Sequence, residues 1–312
     1  PTTAGTADVT ITGTTDGDFF GGALAVGDFN SDNRTDFAIG AIGVSSSAGS
    51  VYIFHNDGSI PTTAGTADVT ITGTTAGDDF GKSLAAGDFN SDSRVDLAVG
   101  GPDANSLTGR IYIFHNDGSV PTTAATADVT ISGDASTNLG TSLVAGDFNA
   151  DGRMDIASGA PGYLTDIGAL YAFYNDGSIP TAASSADVAI LGTVSGAYFA
   201  TVIFAGDINT DGKTDLLAQD SLSVYVYYND GSYPSTETSG EKVFTGTVSG
   251  YGSAGTVLDI NLDGKQDVIL GSPSDGNGKA YSFVSETEYI APFPVSTKLR
   301  GDVIFRGDNK VR

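Results

Sequence analysis

The sequence predicts an all-β fold, a β-propeller of four-stranded blades, and three observations carry that prediction. A nine-residue acidic loop recurs five times, at intervals of 60, 59, 60 and 52 residues. Between the loops lie short β-branched and aromatic runs bounded by Gly, Asn, Asp and Pro, the punctuation of strands and tight turns. No stretch sustains a 3.6-residue apolar period, so little helix is expected. Solenoid repeats usually run shorter, with one or two strands each. Four strands in 52 to 60 residues is the spacing of propeller blades. The repeats run approximately over 8–60, 61–120, 121–179, 180–233 and 234–312, within one domain covering 1–312.

Each unit opens on an outer strand. PTTAGTADVTITG starts at Pro1 and Pro61, PTTAATADVTISG at Pro121 and PTAASSADVAILG at Pro180, with looser counterparts EKVFTG from Glu241 and DVIFRG from Asp302. In Val69-Thr70-Ile71-Thr72 apolar side chains alternate with hydroxyls, the pattern of a half-buried strand near a sheet edge. An aromatic beside a small residue follows: Phe20-Gly21, Phe80-Gly81, Phe199-Ala200 and Tyr251-Gly252, with Leu139-Gly140 the exception. Next comes a strand of small residues such as Ser83-Leu84-Ala85-Ala86-Gly87, which suits a crowded centre where blades converge, and it runs directly into the acidic loop. Two further strands follow, DLAVG and IYIFHN in the second unit, and the alternating aromatics of the latter are suited to the space between blade faces. Four units close on Asn-Asp-Gly-Ser, a turn signal because Asn and Gly accept positive φ.

The acidic loops read DFNSDNRTD from Asp28, DFNSDSRVD from Asp88, DFNADGRMD from Asp147, DINTDGKTD from Asp207 and DINLDGKQD from Asp259. Asp holds positions 1, 5 and 9, Asn position 3, and Arg or Lys position 7. Three carboxylates this close repel one another unless a cation sits among them, and oxygen donors at alternating positions suit a hard cation. The expected side-chain ligands are Asp28, Asn30, Asp32 and Asp36; Asp88, Asn90, Asp92 and Asp96; Asp147, Asn149, Asp151 and Asp155; Asp207, Asn209, Asp211 and Asp215; and Asp259, Asn261, Asp263 and Asp267. Arg34, Arg94, Arg153, Lys213 and Lys265 are expected to offer a backbone carbonyl while their side chains point outward. With a bidentate Asp or a water, the set reaches the roughly 6–8 oxygens that Ca2+ takes; Mg2+, with its smaller octahedron, is second choice. About five Ca2+ sites are therefore expected. The loops are not EF-hands, since position 12 is apolar (Ile39, Val99) where an EF-hand has Glu. Position 6 is Gly in the last three loops but Asn33 and Ser93 in the first two; Ser takes positive φ less readily, so the second loop is expected to bind most weakly. Asp and Asn also form turns without any metal, but five copies with one spacing favour the cation. Its expected role is structural, a clip that adds folding free energy.

Composition narrows the partners. Fourteen basic residues against thirty-eight acidic ones give a net charge of −24, which disfavours nucleic acid and anionic membrane surfaces. Five divalent cations in the loops would bring that to −14. The sequence has no cysteine, hence no disulfide or thiolate chemistry, and no apolar run of about 18 residues that could span a membrane. It starts at Pro1 without an initiator Met or a signal-peptide pattern, so it reads as a processed product or a segment of something longer.

The Phe-Gly pairs, the acidic loops and the triplet Gly159-Ala160-Pro161 resemble FG-GAP repeats, which build the N-terminal β-propeller of integrin α subunits. Gly100-Gly101-Pro102 and Gly271-Ser272-Pro273 are near matches, whereas Gly40-Ala41-Ile42 and Gln219-Asp220-Ser221 lack the proline. The resemblance covers nearly the whole chain. It implies calcium in the loops and a secreted or cell-surface protein engaged in adhesion or recognition. Integrin-type propellers have seven blades, while this chain has five inner-strand triplets and six outer-strand segments. It is therefore either a closed five-bladed ring with a spare end strand or an arc of a larger propeller, and an open arc would expose strand edges for pairing with another chain.

The expected function is an extracellular or cell-surface adhesion, recognition or assembly module. Its partners would be a protein or glycan at a cell surface or matrix, or further copies joined by strand edges, with neither nucleic acid nor membrane insertion. The resemblance leaves open a carbohydrate-binding lectin, since some fungal lectins share the repeat and bind sugars between blades; no Trp is present to form an aromatic platform. A polysaccharide-active enzyme is the third alternative, its carboxylate pair hard to find because the repeated acids belong to the loops. No catalytic residue is expected. His55 and His115 share a repeat position with Tyr174 and Tyr228, which suits a strand end better than a general base. Arg300-Gly301-Asp302 and Arg306-Gly307-Asp308 spell a tripeptide that some integrins recognise, read here as coincidence. The Thr-rich outer strands offer hydroxyls for O-linked sugars.

Overall fold

The computed structural model describes residues 7–284, all of it strands, turns and one-turn helical segments. Blade 1 comprises β1 (Ala23–Gly27), β2 (Asp36–Ala41), β3 (Ser50–Phe54) and β4 (Val69–Thr72). Blade 2 comprises β5 (Ser83–Gly87), β6 (Asp96–Gly101), β7 (Arg110–Phe114) and β8 (Val129–Ser132). Blade 3 comprises β9 (Ser142–Gly146), β10 (Asp155–Ala160), β11 (Ala169–Phe173) and β12 (Val188–Leu191). Blade 4 comprises β13 (Ile203–Gly206), β14 (Asp215–Gln219), β15 (Ser223–Tyr227) and β16 (Lys242–Thr245). In blade 5, β17 (Ala254–Leu258), β18 (Asp267–Ser272) and β19 (Lys279–Phe283) form a sheet that is three-stranded among the described residues. Every pairing is antiparallel between consecutive strands, and the inner strands β1, β5, β9, β13 and β17 lie side by side in chain order. The fold is the expected propeller, with five blades. No helix among the described residues is long and apolar enough to cross a membrane. The Asp302 segment and both Arg-Gly-Asp tripeptides lie outside the described residues.

Sequence repeat and blade are out of phase. The outer strand that opens one repeat pairs with the third strand of the repeat before it, with Ile71 opposite Val51 and Val69 opposite Ile53. Each of blades 1 to 4 is thus completed by residues from the next unit. The last residue of that outer strand also touches the segment leading into the next outer strand, through parallel bridges at Thr72–Thr123, Ser132–Ala182 and Leu191–Thr236.

Because β side chains alternate between faces, each strand feeds two seams. At the first seam Ala38, Val51, Ile53 and Ile71 of blade 1 meet Leu84, Leu97, Val99, Tyr112 and Phe114 of blade 2. Ile111, Ile113 and Ile131, on the opposite face of blade 2, enter the next seam with Leu143, Ile156 and Tyr171. Fully burying one such side chain contributes about 1.5–3 kcal/mol. Phe80 covers the third strand edge-on, 5.4 Å from the Tyr112 ring and 6.1 Å from Phe114, which is the reason for an aromatic at that point.

The small residue beside the aromatic has a different task. A methyl group built on Gly40 would overlap the carbonyl oxygen of Gly81; on Gly100 it would overlap that of Gly140, and on Gly159 that of Ala200. In blades 1 to 3 the Gly of the Gly-Ala-Pro-like triplet therefore rests against the Phe-Gly-like pair of the following blade. Two motifs far apart in sequence are two halves of one backbone contact.

Candidate cation loops

All five acidic loops join the first and second strands of a blade, so they gather on one face of the array. In the first, the Asp32 N–H donates both to Oδ1 of Asp28 (3.0 Å) and to Oδ1 of Asn30 (3.1 Å). The Asn33 N–H donates to Oδ2 of Asp28 (2.8 Å) and the Arg34 N–H to Oδ1 of Asp32 (2.8 Å). The same four bonds recur in the loops beginning at Asp88, Asp147, Asp207 and Asp259. Positions 1, 3 and 5 therefore all turn their oxygens into the loop.

Position 9 is different. Asp36, Asp96, Asp155, Asp215 and Asp267 are buried. In blade 1 the Phe29 N–H donates to Oδ2 of Asp36 (2.9 Å) and the Asn56 N–H, beyond β3, to Oδ1 (2.7 Å). Blades 2 to 4 repeat this. One carboxylate thus ties the loop start to the end of the third strand. Burial raises the pKa of Asp96, Asp155 and Asp215 despite these bonds, Asp155 to about 6.

Three further features escaped the sequence reading. Position 4 has positive φ in every loop, at Ser31, Ser91, Ala150, Thr210 and Leu262, with φ of 60° or 61°; no residue type there signals it. Second, position 7 does not point freely outward in three loops. Nη1 of Arg34 donates to the carbonyl of Asn56, Arg94 to that of Asn116 and Arg153 to that of Asn175, at 3.2–3.3 Å. The guanidinium has donors to spare and the turn offers an unpaired carbonyl, which corrects the outward expectation. Third, this clamp holds the Asn-Asp-Gly turn over the loop, where Nδ2 of Asn30, Asn90 and Asn149 donates to Asp57, Asp117 and Asp176. In the two lysine loops the Asn amide turns instead to Asp211 and Asp263. A fixed separation of 29 residues between loop and turn (Asp28 to Asp57, Asp88 to Asp117, Asp147 to Asp176) was the available signal.

The donors are all oxygens, and those of positions 1 and 3 converge on one point at the position-5 N–H, which fits a hard cation. As they stand, no three Asp, Glu or His among the described residues form a group that could hold a metal ion; the inward oxygens are engaged by the backbone instead.

The turn's Asn also crosses the seams. Nδ2 of Asn116 donates to the Phe29 carbonyl of the preceding blade (2.8 Å), Asn175 to that of Phe89 (2.8 Å) and Asn229 to that of Phe148 (3.0 Å). Beside the loops, two equivalent grooves run between blades. One, of about 490 Å3, is lined by His55, Asp68 and Arg94. The other, of about 580 Å3, is lined by His115, Asp128 and Arg153. Nε2 of His115 is buried without a hydrogen-bond partner.

Repeated blades, the Phe-Gly seat and the acidic loops define the class, a propeller built from integrin-type repeats. Residues 88–158 and 207–270 match the FG-GAP-like repeat and residues 20–54 the FG-GAP repeat. The chain belongs to the FG-GAP repeat family. It is 28% identical over 205 residues to integrin alpha-4 of Xenopus laevis, covering 62% of this chain and 20% of that protein. It is 34% identical over 175 residues to phosphatidylinositol-glycan-specific phospholipase D of Bos taurus, covering 51% of this chain and 21% of that protein. The chain thus spans about a fifth of the length of these relatives. Among solved structures, a complex of BBS1N with ARL6DN aligns with a TM-score of 0.49 at 13% identity, covering 85% of this chain and 62% of that one.

Proposed function

We propose that this chain is an extracellular recognition module whose five loops each take one calcium ion that stiffens the blade beneath. The observation that carries the reading is the identical inward arrangement of positions 1, 3 and 5 in all five loops. The ligands would be the Asp and Asn side chains at positions 1, 3, 5 and 9 with the carbonyl of position 7. Bound there, calcium would supply the positive charge that crowded carboxylates need. Integrin relatives support a surface that meets a protein ligand outside the cell. The similarity to a phospholipase D does not bring its activity here, given the small share of that enzyme covered.

Calcium should raise the Tm and a chelator should lower it, with metal analysis of the purified protein giving close to five ions per chain. A melting curve indifferent to both, with no bound metal, would sink the calcium reading. A second reading, glycan binding, is favoured by the paired inter-blade grooves and the unpartnered Nε2 of His115. On a glycan array, binding that His115→Phe abolishes would support it.

A further inference from the structure

We propose that the Asp of the Asn-Asp-Gly turn in blades 1 to 3 (Asp57, Asp117 and Asp176) is a positioning residue of the cation site, brought into play by the Arg at position 7. The first three loops then bind calcium more tightly than the fourth, where position 7 is Lys213. The inference rests on the calcium reading above and deepens it.

An Asn amide has one donor end and one acceptor end. In the first three loops the oxygen of Asn30, Asn90 and Asn149 faces inward and accepts the N–H of position 5 at 3.0–3.1 Å. The nitrogen end donates to Oδ1 of Asp57, Asp117 and Asp176 at 3.1–3.4 Å. An ionised carboxylate only accepts, so it fixes which end of the amide meets the cation. It also pushes electron density onto the inward oxygen and adds negative charge beside the site. Substituting such outer partners typically costs about 10–100-fold in metal affinity. In the fourth loop the Asn209 oxygen still accepts the Asp211 N–H (3.0 Å), but its Nδ2 donates to Oδ2 of Asp211 (3.1 Å). Oδ1 of Asp211 already accepts the Lys213 N–H (2.9 Å). Both oxygens of one expected ligand are thus engaged, and a cation has to displace the amide from one of them.

The difference traces to position 7. Blade 4 has the same turn, Asn229-Asp230-Gly231-Ser232. It is seated on the same carboxylate, the Asn229 N–H donating to Oδ1 of Asp215 (2.8 Å) as that of Asn116 does to Asp96 (2.8 Å). The two partners are 14 residues apart instead of 20, but the shortening falls between the second and third strands, at the end of the blade away from the loop. Gly at position 6 is not the cause, since the third loop has Gly152 and keeps the contact. Nη1 of Arg34, Arg94 and Arg153 bonds the turn carbonyl. It also lies 3.2–3.5 Å from a methyl group built on the turn glycine, Gly58, Gly118 or Gly177, whereas one on Gly231 would meet nothing within 4 Å. The guanidinium packs against the turn and holds its Asp over the loop. Ser93 takes the positive φ of position 6 all the same, at 70°, so the fourth loop ranks below the second.

Nitrogen–proton correlation NMR of the whole chain resolves the loops during a calcium titration. The position-6 N–H of Asn33, Ser93, Gly152 and Gly212 donates to the position-1 Asp and reports its own loop. The Kd of each of the first three loops should lie about ten-fold or more below that of the fourth. Asp117→Ala should raise the Kd of the second loop about ten-fold or more. Asp230→Ala removes the same charge from a turn without the guanidinium and should leave the fourth loop within about two-fold. Lys213→Arg should tighten the fourth loop and make it sensitive to Asp230→Ala. Asp117 and Asp230 are exposed, so the Tm in chelator should stay as it is. Equal Kd values in the four loops, equal effects of Asp117→Ala and Asp230→Ala, or no tightening by Lys213→Arg would overturn the proposal while the calcium reading stands. No response to calcium in any loop would remove both.

Discussion

At the scale of single residues, the molecule rests on small polar side chains that bind backbone rather than one another. Asn116 is the clearest case, since its buried amide reaches the Phe29 carbonyl one blade back. Asn116→Ala should cost about 1–3 kcal/mol, because it strands that carbonyl away from water; the urea midpoint should fall with little change in slope. No change in midpoint would mean the carbonyl finds another partner. Such roles were only partly legible. Asn-Asp-Gly-Ser announced a turn through its own chemistry, but nothing local to Asn116 says that its amide points across a seam 87 residues away in sequence. The left-handed backbone at position 4 was hidden for a related reason: five different environments fill it with Ser, Ala, Thr and Leu, none of which selects that conformation.

At the scale of elements, strand count, order and polarity were readable because alternation and turn residues are local properties. The loop donors were equally plain. Register between blades was not, since it depends on where one backbone stops another. The seat between Gly100 and the Gly140 carbonyl makes that dependence testable. Gly100→Ala forces two backbones apart and should destabilise by about 1–3 kcal/mol. Gly212, at φ +86° with open space around it, should cost only about 1–2 kcal/mol on change to Ala, the conformational penalty alone. Chemical denaturation of both variants checks the contrast. In addition, Gly100→Ala should loosen hydrogen-exchange protection in blades 2 and 3 together, whereas Gly212→Ala should affect its own loop.

At the scale of the whole molecule, the tyrosines between blades report on the seams collectively. Burial pushes the pKa of Tyr174, Tyr225 and Tyr251 up to about 12, with neighbouring acidic groups or another Tyr adding to the shift. Their folded pKa lies above the unfolded value near 10. Their contribution is therefore complete below about pH 10 and is lost as pH rises through about 12. Tyrosinate absorbance should accordingly lag behind that of free tyrosine and rise together with loss of the β-sheet circular dichroism signal. Ionisation near pH 10 with the sheets intact would contradict the burial. The phase offset between repeat and blade has a consequence for how such a chain can change length. Because each four-stranded sheet is laced across a repeat boundary, a cut at one outer strand can be rejoined at the matching point of another without leaving either sheet short of a partner. Removing residues 73–132, for example, would splice Thr72 to Gly133 and leave a four-bladed array with each internal seam of its usual kind. Such a gene can lose or gain blades by unequal recombination and still encode a protein that folds.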